Sequence, residues 1–155
     1  MIGKPLLITL FRKRVREELK KRDLTVKQFS KAFLRIPEER FRKMLKRKTL
    51  RLRWVDLIAE QLEMYAAQLL CMEDLEINTA PPSTEIVSDS IVAALSAEGL
   101  SASDVAASLN ISRQALSKEL TAGNIGLERL NKIAAIADVE PWQLVLPAGT
   151  VVQDG

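Results

Sequence analysis

"LNISRQALSKELTAG", Leu109 to Gly123, holds a small polar turn, a capping serine and a helix whose outer face carries Arg113, Gln114, Ser117 and Lys118. Asn110 tolerates the left-handed backbone of a sharp turn, Ile111 is placed to plug a core, and Ser112 is placed to cap the helix that follows. Upstream, Ser101 with Asp104 makes a capping box, Asp standing in for the usual Glu, and starts a short helix through Leu109. Before it the pattern predicts a helix from about Ser90 to Glu98, stopped by Gly99. Downstream, Gly123 and Gly126 frame a loop. Leu127, Leu130, Ile133, Ala134 and Ala137 mark the inner face of the next helix, and Pro141 begins a last one, "PWQLV".

The same order of features occurs earlier in the chain. An offset of 76 aligns Val15 with Ile91, Leu19 with Leu95, Leu24 with Leu100, Phe29 with Val105 and Phe33 with Leu109. An offset of 75 then aligns Ile36 with Ile111, Phe41 with Leu116, Leu45 with Leu120, Leu50 with Ile125, Leu52 with Leu127, Val55 with Leu130 and Ile58 with Ile133. One extra residue therefore lies between Phe33 and Ile36 of the first copy. The pattern is an internal repeat of about 60 residues. Its first copy predicts helices over Leu6–Arg22, from a Thr25 cap to Phe33, over Pro37–Arg47 and over Leu52–Glu63, with a continuation toward Cys71. "EINTAPPSTE", with paired prolines and no apolar periodicity, reads as a linker, which divides the chain into 1–75, a linker at 76–86, and 87–155.

Composition sets the class. Of 155 residues 47% are apolar and only 5% aromatic, with Leu, Ala, Lys and Glu abundant, so an all-α protein is expected. There is no histidine and one cysteine, which removes His-based metal sites, Ser-His-Asp or Cys-His catalysis and any intramolecular disulfide. Cys71, inside "AAQLLCM", reads as a buried structural thiol. Neighbouring acids such as Glu38 with Glu39 or Glu73 with Asp74 do not share a helical face, and no Gly-rich phosphate loop follows a strand. No enzyme and no cofactor are expected. The run "MIGKPLLITLFRKRVR" passes into a basic cluster instead of a cleavage site, and no segment approaches about 18 apolar residues. A cytoplasmic protein with no membrane partner is the expectation.

The order Leu100, Val105, Ala106, Leu109, Asn110, Ile111, Ser112, Leu116, followed by a glycine loop and "LERLNKIAAIADV", resembles the Cro and lambda-repressor-like (XRE-type) helix-turn-helix family of transcription regulators. "ISRQALSKEL" also resembles the recognition segment of the lactose-repressor type. The resemblance covers residues 90–146 and implies a five-helix domain whose third helix enters the major groove. Carried over, it places Ser112 and Arg113 at a phosphate or the first base edge, Gln114 at adenine, and Ser117 and Lys118 along the groove, with guanine as an alternative for Arg113. Glu119 stands where the family has an aliphatic residue, and the glycine comes one place late at Gly123. The first copy resembles the family less closely: Asp23 replaces the helix-ending glycine, Ser30 the small alanine, and the turn "FLRIP" is longer and lacks Gly or Asn. Two tandem five-helix lambda-repressor-like domains joined by a short linker follow from the repeat and the resemblance together.

Charge separates the copies. Residues 1–76 hold 19 Lys+Arg against 11 Asp+Glu, a balance of +8, whereas residues 77–155 hold 4 against 9, or −5. In "PEERFRKMLKRK", Phe41 and Leu45 face inward, which leaves Arg40, Arg42, Lys43, Lys46, Arg47 and Lys48 outward, with Arg51 and Arg53 just beyond. About six phosphate contacts of this kind support micromolar nonspecific binding. Glu38 and Glu39 suit the positive end of a helix dipole better than recognition of cytosine. The expectation is a sequence-specific regulator, bacterial or phage, that binds double-stranded DNA without a small-molecule effector, either as a tandem pair on one chain at two major-groove sites about one helical turn apart or as a homodimer on a longer, palindromic target. The second copy either reads DNA or pairs subunits, and its tail "PWQLVLPAGTVV" either forms a dimer seam or closes the domain. The alternative from another class is a helical protein-interaction adaptor, antitoxin-like or anti-regulator.

Overall fold

Leu7, Ile8, Phe11, Val15 and Leu19 recur at helical spacing, and they form the buried stripe of α1 (Leu7–Lys21). A computed structural model describes residues 6–77 and 79–147 and the backbone of Gln153 and Asp154. A Thr25–Gln28 capping box starts α2 (Val26–Phe29), which runs directly into one π turn, Ser30–Leu34. Then come α3 (Glu38–Met44), α4 (Leu52–Gln61) and α5 (Ala66–Leu69). The second half repeats them as α6 (Ser83–Ala97), α7 (Ala102–Ser108), α8 (Arg113–Ala122), α9 (Leu127–Ile136) and a 3₁₀ helix (Pro141–Val145). The described residues are all-α apart from a two-stranded ribbon, in which β1 (Leu75–Glu76) pairs antiparallel with β2 (Gln153–Asp154). No helix among the described residues is long and apolar enough to cross a membrane.

The repeat is a structural one. Helices α1 and α6 begin 76 residues apart, as do α2 and α7, and α4 and α9 begin 75 apart. Left-handed residues recur at the same offsets: Asp23 (φ 55°) with Gly99 (φ 69°), Arg35 (φ 56°) with Asn110 (φ 59°), and Glu63 (φ 57°) with Asp138 (φ 56°). The extra residue lies in the π turn, a helical turn that accommodates one residue more. The Ile36 amide donates to the Ser30 carbonyl (2.9 Å) where Ile111 donates to Ala106 (3.0 Å). It therefore precedes Leu34, not follows Phe33: Leu34 is the buried partner of Leu109, and Phe33 is 41% exposed, stacked on Phe29 at 5.4 Å. Two expected helix bounds also change. Helix α6 starts at Ser83 and not near Ser90, because the Asp56 carboxylate takes the Ser83 amide (2.9 Å) and the Thr84 amide (3.2 Å). Residues 83–86 of the expected linker are thus helical, and α3 stops at Met44, short of Arg47.

The two halves meet through equivalent residues. Arg51 and Gly126, which are 75 apart, form an antiparallel bridge. The Leu52 amide donates to the Ile125 carbonyl (2.9 Å), and reciprocally the Leu127 amide donates to the Leu50 carbonyl (2.8 Å). One position on, the Arg53 amide takes the Asn124 side-chain oxygen (3.0 Å) and the Glu128 amide takes the Lys48 carbonyl (2.9 Å). These are the first amides of α4 and α9, groups a helix cannot satisfy internally. Each half caps the other's helix. Around this clasp α1 packs on α9, α4 on α6, and α5 on the 3₁₀ helix, the reciprocal pattern of a local two-fold.

The buried side chains of both halves form one continuous core, with Phe11, Phe29 and Phe41 fully enclosed. Each such ring contributes about 1.5–3 kcal/mol. Cys71 is buried in it. Of the tail, Pro141, Leu144, Val145 and Leu146 are buried against this core, and residues 148–152 lie outside the described residues. Not all of the basic block points outward. Arg14 is 6% exposed and donates to Asp74 (3.1 Å), Glu17 (3.3 Å) and the Gln68 carbonyl (3.4 Å). Glu18, equally buried, accepts from Arg22 (2.7 Å) and Lys21 (2.9 Å), and Arg22 reaches on to the Leu62 carbonyl (2.7 Å). Burial by itself raises the Glu18 pKa, but the hydrogen bonds and charges of Arg22 and Lys21 outweigh it and hold the carboxyl below its ordinary value.

Gly123 (φ 72°) lies under the Thr84 backbone, where an added Cβ would sit 2.1 Å from the carbonyl oxygen, whereas Gly99 (φ 69°) has open space around it. In urea titrations Gly123→Ala is expected to lose about 2–4 kcal/mol and Gly99→Ala about 1 kcal/mol, since only the first adds overpacking to backbone strain. The depressed Glu18 pKa contributes stability above the ordinary carboxylate range, lost as pH falls through the lowered value. Glu18→Gln should therefore cost about 1–3 kcal/mol at pH 7 and noticeably less at acid pH, where the wild-type carboxylate is protonated.

Candidate nucleic-acid interface

Helix α3 is short and two-sided. Phe41 and Met44 are buried, as is Leu45 at its end, while Arg40, Arg42 and Lys43 are exposed. Glu38 and Glu39 sit in the first turn, where carboxylates favour the helix dipole, and each holds a cation one turn on: Glu38 to Arg42 at 2.7 Å and Glu39 to Lys43 at 3.4 Å. Arg40 lies over the half-buried ring of Trp54 on α4, 5.5 Å from its centroid. Lys46, Arg47 and Lys48 do not extend the helix as the sequence suggested. They project from the loop after Met44, which is turned back into the core by Leu50.

That loop runs into the clasp. Exposed Arg51 donates through Nη1 to the Asn124 carbonyl (2.9 Å), Lys48 stands 4.0 Å from Glu128, and Arg53 emerges from the first turn of α4. Among the described residues no ion pair engages Lys46, Arg47 or Arg53. The structure also exposes a basic stripe not singled out above: Lys13 and Lys20, with Arg16 between, on α1. Spacing of three to four residues was the available signal.

Helix α8 is built alike. The Ser112 hydroxyl accepts the Ala115 amide (3.0 Å) as cap, and Leu116 and Leu120 are buried. Arg113, Gln114, Ser117 and Lys118 form its exposed face, while Glu119 turns toward Arg129 on α9 (3.5 Å), away from the place of the aliphatic residue it replaces. Before it, the Asp104 carboxyl is held below its ordinary pKa by the Ser101 amide and hydroxyl, which donate to it.

All thirteen expected contact residues are thus exposed, in two groups related by the clasp. Helices α3 and α8 are equivalent elements of the two halves, 75 residues apart. Between the halves a groove of about 260 Å³ is lined by Thr49, Arg51, Glu119, Glu128, Arg129 and Lys132, a mixed-charge floor. No protein-family model, no curated protein and no solved structure matches this chain.

Proposed function

We propose that the chain is a sequence-specific DNA-binding transcriptional regulator built from two tandem helix-turn-helix domains, with α2–α3 and α7–α8 as the two motifs. The observation that carries this reading is the row of eight exposed cations from Arg40 to Arg53 on α3, its following loop and the start of α4. Such a row neutralises phosphates, and the counterions it releases supply affinity irrespective of sequence.

Local packing supports the same reading. Crossing helices need small residues, and Ala106 is 3% and Ser30 0% exposed. The Ser30 hydroxyl is satisfied by the Lys27 carbonyl at 3.0 Å, which makes serine an acceptable substitute for alanine there. Arg35 and Asn110 supply the left-handed turn, and Phe41 and Leu116 pin the following helix. Arg113 and Gln114, exposed at the start of α8, are the side-chain types that pair with guanine and with adenine, the arginine by two donors and the glutamine by one donor and one acceptor.

The test is duplex binding across ionic strength with the full chain. With about six phosphate contacts, affinity should fall about 10³-fold or more between 50 and 200 mM salt. Lys46→Ala with Arg47→Ala should reduce the slope of log affinity against log salt by about 2. Failure to bind any duplex at low ionic strength contradicts the proposal and favours the adaptor reading, in which the helical bundles meet another protein.

A further inference from the structure

The repeat fixes which residues of the two halves are equivalent, and at the start of the third helix and just beyond its end the chemistry differs. At an offset of 75, Arg113 and Gln114 of α8 correspond to Glu38 and Glu39 of α3. The carboxylates are engaged by Arg42 and Lys43, and they would repel an approaching phosphate. Where the first half has Lys46, Arg47 and Lys48, the second has Thr121, Ala122 and Gly123. The Thr121 hydroxyl donates to the Ser117 carbonyl (2.8 Å), and Gly123 is packed beneath Thr84, so no phosphate anchor stands there. The first half carries most of the exposed cations, while the start of its helix holds carboxylates; the second half has Arg113 and Gln114 at the start of its helix and fewer cations, Lys118 among them.

The same symmetry bears on stoichiometry. In a C2 dimer two copies would present one self-complementary surface to each other. Here residues 50–52 and 125–127 pair with each other within one chain, so this self-complementary edge is not open to a second copy.

We infer that a single chain, with no second copy, is the complete binding unit, and that its target is a non-palindromic duplex whose preferred bases lie under α8 while α3 and its loop hold the neighbouring backbone. This rests on the reading of α3 and α8 as the DNA-facing helices.

The experiment is selection of bound sequences from a randomised duplex pool by the full chain, with the mass of the complex measured by light scattering. One chain per duplex is expected, with a motif whose preference is confined to one side and whose protected but unselective flank lies about one helical turn away. Arg113→Ala should weaken the selected duplex about 5- to 150-fold and relax the motif at one position. Lys46→Ala with Arg47→Ala should weaken selected and scrambled duplexes by the same factor. A palindromic motif, two chains per duplex, or an Arg113→Ala effect equal on selected and scrambled duplexes overturns the inference while leaving duplex binding intact. Absence of binding to any member of the pool at low salt removes the reading beneath it.

Discussion

Four backbone amides at the starts of α4 and α9 determine how this chain is put together. Neither helix has a capping side chain of its own: Arg51 and Gly126 occupy the cap positions and supply none. The Leu52, Arg53, Leu127 and Glu128 amides instead find acceptors in the opposite half. Each such hydrogen bond contributes about 0.5–1.5 kcal/mol net, so parting the halves gives up contributions on both sides at once. The apolar faces of α1 and α9 and of α4 and α6 close over the same contact, which makes the clasp and the continuous core parts of one structure.

Much of the architecture was legible from periodicity and caps. Core spacing revealed the duplication and its change of register, and the Ser101–Asp104 box and the Ser112 cap started their helices as expected. The clasp was not legible, because it consists of main-chain hydrogen bonds, with one asparagine side chain, and an apolar pattern at Leu50, Leu52, Ile125 and Leu127 shows burial but not which backbone each amide meets. The turn at Arg35 was hidden for another reason: an arginine adopts a left-handed backbone at a cost of about 1–2 kcal/mol, which only the surrounding packing justifies. Paired prolines before Ser83 read as linker, and the distant Asp56 that starts α6 there leaves no local trace.

The candidate surface was partly legible. Exposure of the cations between Arg40 and Arg53 followed from the inward placement of Phe41 and Leu45, but a count of charges could not distinguish them from Arg14 and Arg22, which are spent on Asp74, Glu18 and the Leu62 carbonyl. Nor could the net charge of the second half show how its few polar donors stand. The duplication puts those donors and the anchoring cations on equivalent helices of two halves that the clasp joins.

The clasp itself can be measured directly, by amide hydrogen exchange at Leu52 and Leu127 followed residue by residue with NMR. Both amides should exchange only through global unfolding, with the same free energy and the same urea dependence as the whole chain. If either exchanged through a smaller opening while the core of the other half stayed protected, the halves would be separable units and the single-chain clasp would be contradicted.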